Sequence, residues 1–330
     1  MHRHQRYQNE LLLLNELISQ KPQDWYLHRL RGEAAWRLEE DDLAISDLRL
    51  VAVAGQAFPH TWDLLSQAYR RRGRLKQDVA DLSHPLAIQP GNGHLWQLRG
   101  MLHVYQENDN EAASDFRKAY ENGARDLVHR QFADCLIRLR RWEEACEALQ
   151  RAVDYERLEF PLREQLIYAY LKNGELLNAH REIERAILHH RNTKDPVVAN
   201  RLAWLEACYR GRENPYRVNP ALSEFSISHA PNNPDYLTTN ALARQLDSGR
   251  DARPQLQQAI EARVQVNPWR EWLVLALEEQ RNSNLQEGRV WLDRALAITS
   301  DELDRLSWTE RLDFDHLAAW AKKLLQPKAP

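Results

Sequence analysis

Residues 95–119 read LWQLRGMLHVYQENDNEAASDFRKA, and this stretch decides the fold. Trp96, Gly100, His103 and Val104 recur at helical spacing, a polar break Asn108-Asp109-Asn110 follows, and Ala112, Phe116 and Ala119 then recur at i, i+4 and i+7. The pattern predicts a helical hairpin. Gly100 and Ala112 are small where two helices must approach closely, whereas Trp96 and Phe116 are large enough to fill the space beside the crossing. One hairpin cannot bury such a face alone, so the unit needs neighbours.

Steps of about 34 residues lead from Trp96 back to Trp62 and His28, forward to His129 and Arg163, and then with slippage to Tyr236 and Trp272. The small residue that opens each second helix recurs as Ala44, Ala112, Ala145, Ala179, Ala252 and Gly288. One turn on stand Leu48, Phe116, Leu149, Ile183, Leu256 and Leu292, and a turn later Ala119, Ala152, Ala186, Ala259 and Ala295. Agreement at two positions over six registers, and at a third over five, predicts an all-α solenoid built of antiparallel helix pairs.

Trp62, Leu65, Tyr69 and Pro90 in one repeat, and Trp96, Gly100, Ala112, Phe116 and Ala119 in the next, resemble the tetratricopeptide repeat (TPR) family. The resemblance covers nearly the whole chain. It implies a right-handed α-solenoid, the TPR superhelix, whose first helices line a concave face. A narrower resemblance lies in ANRLAWL (199–205), APNNPDYLTTNAL (230–242), PWREWLVLAL (268–277), WLDRAL (291–296) and LSWTERLDF (306–314). These phrases look like the C-terminal TPR region of large bacterial multidomain proteins, where the array follows a serine/threonine kinase or a WD-repeat propeller.

The expected organisation is a single solenoid over 1–330. It comprises a lone N-terminal helix (5–22), five regular repeats (24–190), a degenerate repeat (192–233) with a loop at 210–220, two further repeats (234–298) and a capping helix (306–325). Residues 5–22 lack a first-helix partner and are expected to be either an N-terminal capping helix or a repeat cut from a longer polypeptide, the apolar edge Leu11 to Leu14 favouring the cut. Asp78 stands where alanine is expected, and Pro85 should end or kink its helix near Ser83. In the degenerate repeat a first helix is expected over 197–209, and the loop at 210–220 after it is a candidate hinge or docking segment, with a degenerate repeat as the plainer reading. In the last helix, Leu312, Leu317, Trp320 and Leu324 are expected on one side and Asp313, Asp315, Lys322 and Lys323 elsewhere.

With 45 basic against 48 acidic residues and a formal charge of −3, the chain has no electrostatic footprint for nucleic acid, which disfavours an RNA-binding helical repeat. Cys135, Cys146 and Cys208 include no CxxC pair and read as small buried hydrophobes in a reducing compartment. No run approaches the ~20 apolar residues of a membrane span, and the start MHRHQRYQNELLLLNEL does not fit a signal peptide. A cytoplasmic protein is expected.

HExxH, GxSxG, P-loop and GxGxxG motifs are all missing, and the acidic pairs Glu39-Glu40 and Glu143-Glu144 lie at helix starts, where the dipole accounts for them. No enzyme, metal or cofactor is therefore expected. What remains is recognition of a protein or peptide partner. The resemblance places residues one, five and eight positions after the tryptophan site on the concave face. Among these, Arg29, Glu33, Asp63, Gln67, Arg70, Gln97, Met101, Arg130, Asp134, Glu164 and Tyr168 are the candidate partner contacts. Their mixture of charge and aromatic surface suits an extended or helical peptide better than a clamp for a C-terminal carboxylate. Neither the partner's identity nor the oligomeric state follows from the residues.

Overall fold

The computed structural model describes residues 2–124, 128–155, 159–210, 218–263 and 267–326. All regular structure among them is helical, and the chain divides into two compact units, Met1–Arg157 and Leu158–Pro330. The first unit holds α1 (His2–Gln20), α2 (Trp25–Arg37), α3 (Asp41–Val53), α4 (Pro59–Arg72), α5 (Leu75–Asp81), α6 (Ser83–Ile88), α7 (Gly93–Tyr105), α8 (Asp109–Glu121), α9 (Val128–Arg138) and α10 (Trp142–Tyr155). The second holds α11 (Phe160–Lys172), α12 (Leu176–His190), α13 (Pro196–Leu205), α14 (Ala221–His229), α15 (Pro234–Ser248), α16 (Arg253–Ala262), α17 (Trp269–Arg281), α18 (Leu285–Leu296), α19 (Ser300–Asp304) and α20 (Trp308–Leu325).

Helices pack in sequential pairs, α2 with α3, α7 with α8, α9 with α10, and α11 with α12 through α17 with α18. The recurrent small and large residues are the cause. Ala44, Ala112, Ala145 and Ala179 are fully buried, as are Leu48, Phe116, Leu149 and Ile183 one turn on. A β-carbon added to Gly100 would lie 2.8 Å from Cε1 of Phe116, and one added to Gly32 would lie 2.7 Å from Cγ of Leu48. Those crossings admit glycine because any side chain would push the facing helix away. Of the recurrent tryptophans, Trp62 is buried, whereas Trp96 and Trp272 are half-buried and carry cations on their faces.

The hairpin turns repeat as closely as the core. Two residues before six of the second helices, the backbone is left-handed at Glu39, Gly73, Glu107, Arg140, Gly174 and Ser283, with φ between 57° and 79°. A residue in that conformation ends the first helix and reverses the chain, which is why glycine occupies two of the six sites. Several first helices start alike. Asp24, Asn92, Asp195 and Asn233 accept hydrogen bonds from backbone N–H groups two residues on, at 2.8–3.1 Å.

Two matched ion pairs clamp the first and third hairpins. Arg31 donates to Asp47 at 2.7 and 2.8 Å, and Arg99 donates to Asp115 at the same two distances. Each arginine precedes the close-approach glycine and each aspartate precedes the large core residue, so the pairs share one register. In the second repeat, Asp78 occupies the alanine site and is accommodated by pairing with Arg72. Pro85, which lacks an N–H, divides that repeat's second helix into α5 and α6 at Leu82.

Two expectations need correction. The α-helix expected over 197–209 gives way after Leu205 to a π-helical turn, Glu206–Arg210. Asp313 lies inside the second unit rather than on the outer side of α20. Residues 211–217 of the expected docking loop lie outside the described residues.

Candidate functional site

The predicted contacts divide by unit and by burial. In the first unit Asp63, Gln67 and Arg70 are exposed on α4, and Arg70 reaches over the ring of Tyr105 with its guanidinium carbon 5.6 Å from the centroid. Arg29 and Glu33 pair with each other on α2, and Arg130 and Asp134 are half-buried on α9. Gln97 and Met101 present no surface. Gln97 is 0% exposed and donates to Gln131 Oε1 at 3.2 Å, because α7 and α9 pack against each other at that face. In the second unit Glu164 is half-buried and accepts from Arg201 Nε at 2.6 Å. Tyr168 is 2% exposed, so it too is no open contact.

Tyr168 is covered by α20. That helix packs on α17 and α18 and reaches α11, and it inserts Asp313 among donors from three other segments. The Asp313 carboxylate accepts from Tyr209 Oη at 2.7 Å, from Trp204 Nε1 at 2.9 Å, and from Tyr168 Oη at 3.2 and 3.3 Å, with Arg270 Nη2 at 3.7 Å. Burial pushes the Asp313 carboxyl above the ordinary carboxylate range, and Arg270 and the three donors oppose the shift only in part. Burial also raises the Tyr168 and Tyr209 phenols well above their usual value, with the nearby Asp313 charge adding to it, so both remain donors.

The π-helical turn explains why Tyr209 reaches this socket. One extra residue per turn widens the end of α13 and frees carbonyls that an α-helix would have bonded internally. His316 Nε2 of α20 donates to Cys208 O at 3.0 Å, and His180 Nε2 of α12 donates to Tyr209 O at 3.1 Å. The rings of Tyr209 and His316 lie 4.5 Å apart. The turn thereby receives α20 through both a side chain and its backbone.

Beside Asp313 opens a cavity of about 230 Å³, lined by Asn200, Arg201 and Trp204 of α13, by Asp235, Tyr236, Thr238 and Thr239 of α15, and by Arg270 of α17. Arg270 stacks between Trp204 and Trp269, with centroid distances of 5.4 and 5.0 Å. Three carboxylates surround it at 3.4–3.8 Å, yet its Nε is buried without a hydrogen-bond partner. Asn200 is 7% exposed and its Oδ1 likewise has no partner. Thr238 of this wall and Arg263 behind it both donate to Glu271 Oε1, at 2.6 and 2.8 Å.

Nothing in this arrangement resembles an activated nucleophile. Burial pushes the Cys135 thiol up to about 12 and the Cys208 thiol well above its ordinary value, which keeps both thiols protonated. Among the described residues, no three His, Cys, Asp or Glu side chains are placed to hold a metal ion, and no helix is long and apolar enough to cross a membrane.

The same stacked pairs occur in solved structures. The C-terminal part of a TPR repeat-containing protein from Cytophaga hutchinsonii superposes with a TM-score of 0.50 at 13% identity, over 71% of this chain and 94% of that one. The fold is a TPR-like solenoid. A tetratricopeptide repeat protein from Parabacteroides merdae matches with a TM-score of 0.46 at 13% identity, over 76% of this chain and 95% of its own. Pseudomonas aeruginosa pilF matches with a TM-score of 0.39 at 18% identity, over 84% and 99%. No family model matches the sequence, and no curated protein is similar to it. The likeness to the Cytophaga hutchinsonii structure, at 13% identity, establishes the TPR-like fold alone.

Of the Asp313 socket, Asp313 alone carries a sequence signal in the periodicity of α20. Asp313 stands four residues before Leu317 and seven before Trp320, on the stripe that is buried. Tyr209 and Arg270 have no such signal, because their placement depends on the π-helical turn and on contacts distant in sequence.

Proposed function

We propose that the protein is a non-catalytic interaction scaffold that binds a partner protein or peptide segment on the faces formed by its first helices. The observation that carries this reading is the Asp313 socket. A face built from α11, α13 and α17 already holds an amphipathic helix, through one central acid met by tyrosine, tryptophan and arginine and through flanking apolar contacts. Such anchoring is the physics of helix-in-groove recognition. In the first unit, the exposed Asp63, Gln67 and Arg70, with the half-buried Arg29, Glu33, Arg130 and Asp134, are the proposed contacts for an extended segment.

The phrase order from 199 to 314 supports a second reading in which this scaffold serves as the regulatory module of a larger kinase- or propeller-containing protein. An RNA-binding role is disfavoured by the balanced charge. The test is affinity capture followed by cross-linking mass spectrometry, with Arg70→Ala beside the unchanged chain. Cross-links on α2, α4 and α9 together with reduced capture by the variant are expected. Capture that Arg70→Ala leaves unchanged, with cross-links confined to second helices, contradicts the assignment.

A further inference from the structure

The second hairpin departs from its neighbours in the layer of second helices. α3 and α8 rest on their own first helices, α2 and α7, whereas α5 and α6 lie against α7 of the following hairpin. Pro85, which splits that second helix, leaves pieces of seven and six residues, and helices so short take their position from what they pack on. A groove of about 800 Å³ runs between α3 and the α5–α6 segment, with Leu95 of α7 beneath it. Leu82 and Leu95 are buried at its base, while Leu50 is 40% exposed and Val53 and Pro85 are half-buried along its sides.

The charges around this apolar strip are unequal. Arg31 and His28 converge on Asp47, and Asp81 accepts from Gln77 Nε2 at 2.7 Å, so both acids of the groove are already engaged. Arg49 and His84 also line the groove, both exposed, and among the described residues neither forms an ion pair. Arg49 lies beside the hydroxyl of the buried Tyr69, but burial pushes that phenol up to about 12, so it supplies no negative charge. An arginine without a counter-charge, next to an exposed aliphatic strip, is complementary to a carboxylate flanked by aliphatic side chains.

We propose that this groove is a further contact surface of the first unit, and that its occupant is a segment of a partner protein in which aliphatic side chains are interleaved with carboxylates. The aliphatic groups seat on Leu50, Val53 and Leu82, and a carboxylate takes the Arg49 guanidinium. The lining part of α3, from Ser46 to Val53, rises about 10 Å, which keeps the segment short. A nucleic acid fits poorly, because a phosphate chain needs a run of unpaired cations and the strip here is aliphatic, in a chain of formal charge −3. None of the contacts proposed above on α2, α4 and α9 lines this groove, so the inference goes beyond them.

The experiment pans the full chain against phage displaying random short peptides and measures the enriched sequences, as fluorescein-labelled peptides, by fluorescence anisotropy. Enriched sequences should combine Leu, Ile or Val with Asp or Glu. They should bind Arg49→Glu and, separately, Leu50→Gln at least about tenfold more weakly than the unchanged chain. Both positions are exposed, and far-UV circular dichroism checks that each variant keeps its helices. Replacing the acids of the peptide by lysine should reverse the preference, so that Arg49→Glu binds more tightly than the unchanged chain. No enriched sequence, enrichment without acids, or binding indifferent to both substitutions overturns the proposal. Binding that falls with Arg70→Ala and with neither groove variant leaves the scaffold function standing and defeats this inference. Retention of a single-stranded RNA oligonucleotide that Arg49→Glu abolishes, or a dimer on size exclusion that Arg49→Glu disperses, overturns the assignment of a partner protein.

Discussion

Replacing Arg99 with alanine removes two short hydrogen bonds, 2.7 and 2.8 Å, from a carboxylate that is 3% exposed. Leaving a buried charge without its partner costs about 3–5 kcal/mol when burial is complete. Here the Arg99 side chain is 21% exposed, so its truncation admits some water to Asp115. His103 Nε2 lies 3.7 Å from the same carboxylate, but burial lowers its pKa and it offers little positive charge at neutral pH. The expected loss is therefore about 2–3 kcal/mol. The same change at the matched pair is an internal control. Asp47 retains His28 Nδ1 at 2.8 Å after Arg31→Ala, so that variant should lose only about 1–2 kcal/mol. Removing both charges, as Arg99→Met with Asp115→Leu, should cost less than Arg99→Ala alone, because no charge is left buried. Urea unfolding followed by far-UV circular dichroism gives the differences, and hydrogen exchange in α7 and α8 localises them. A loss under about 0.5 kcal/mol for Arg99→Ala, or a larger loss for Arg31→Ala, refutes the argument that these pairs are desolvated clamps.

Gly100→Ala should be neutral to destabilising, because a helix-propensity gain of about 1 kcal/mol meets an overpacking cost of about 1–3 kcal/mol from a contact at 2.8 Å with Phe116. Adding Phe116→Leu should cost less in that background than alone, as a double-mutant cycle measures. Arg140→Gly, at a φ of 57°, should raise the urea midpoint by the equivalent of roughly 0.5 kcal/mol. Asp313→Asn should change the pH dependence of stability. The native chain holds the Asp313 proton more tightly than the unfolded chain, so its cost is present above the raised pKa and fades as pH falls towards the ordinary value of about 3.9. The unchanged protein should thus gain stability relative to Asp313→Asn as the solution is acidified, and a gain with rising pH instead contradicts the assignment.

Much of the fold is legible in the spacing of Ala44, Ala112, Ala145 and Ala179 and of the large residues one turn on, because these contacts lie within one hairpin. The Arg31–Asp47 and Arg99–Asp115 pairs were equally available, since LRG followed sixteen residues later by aspartate appears twice. Tyr168 is different. Its position on a first helix marks it for a groove, but what covers it lies 145 residues away in the chain, and no local period encodes that docking. Gln97 and Met101 are hidden for a similar reason, being packed where neighbouring hairpins meet. The π-helical turn at 206–210 left no signal either, since Glu206, Ala207 and Cys208 would also continue an α-helix.

Hydrogen exchange along α20, in the unchanged chain and in Asp313→Ala, tests most directly whether one buried acid holds this helix in the groove of the second unit. The amides of 308–325 should exchange at least about tenfold faster in the variant while those of α17 and α18 keep their protection. Uniform acceleration across all three helices, or no change in any of them, contradicts it.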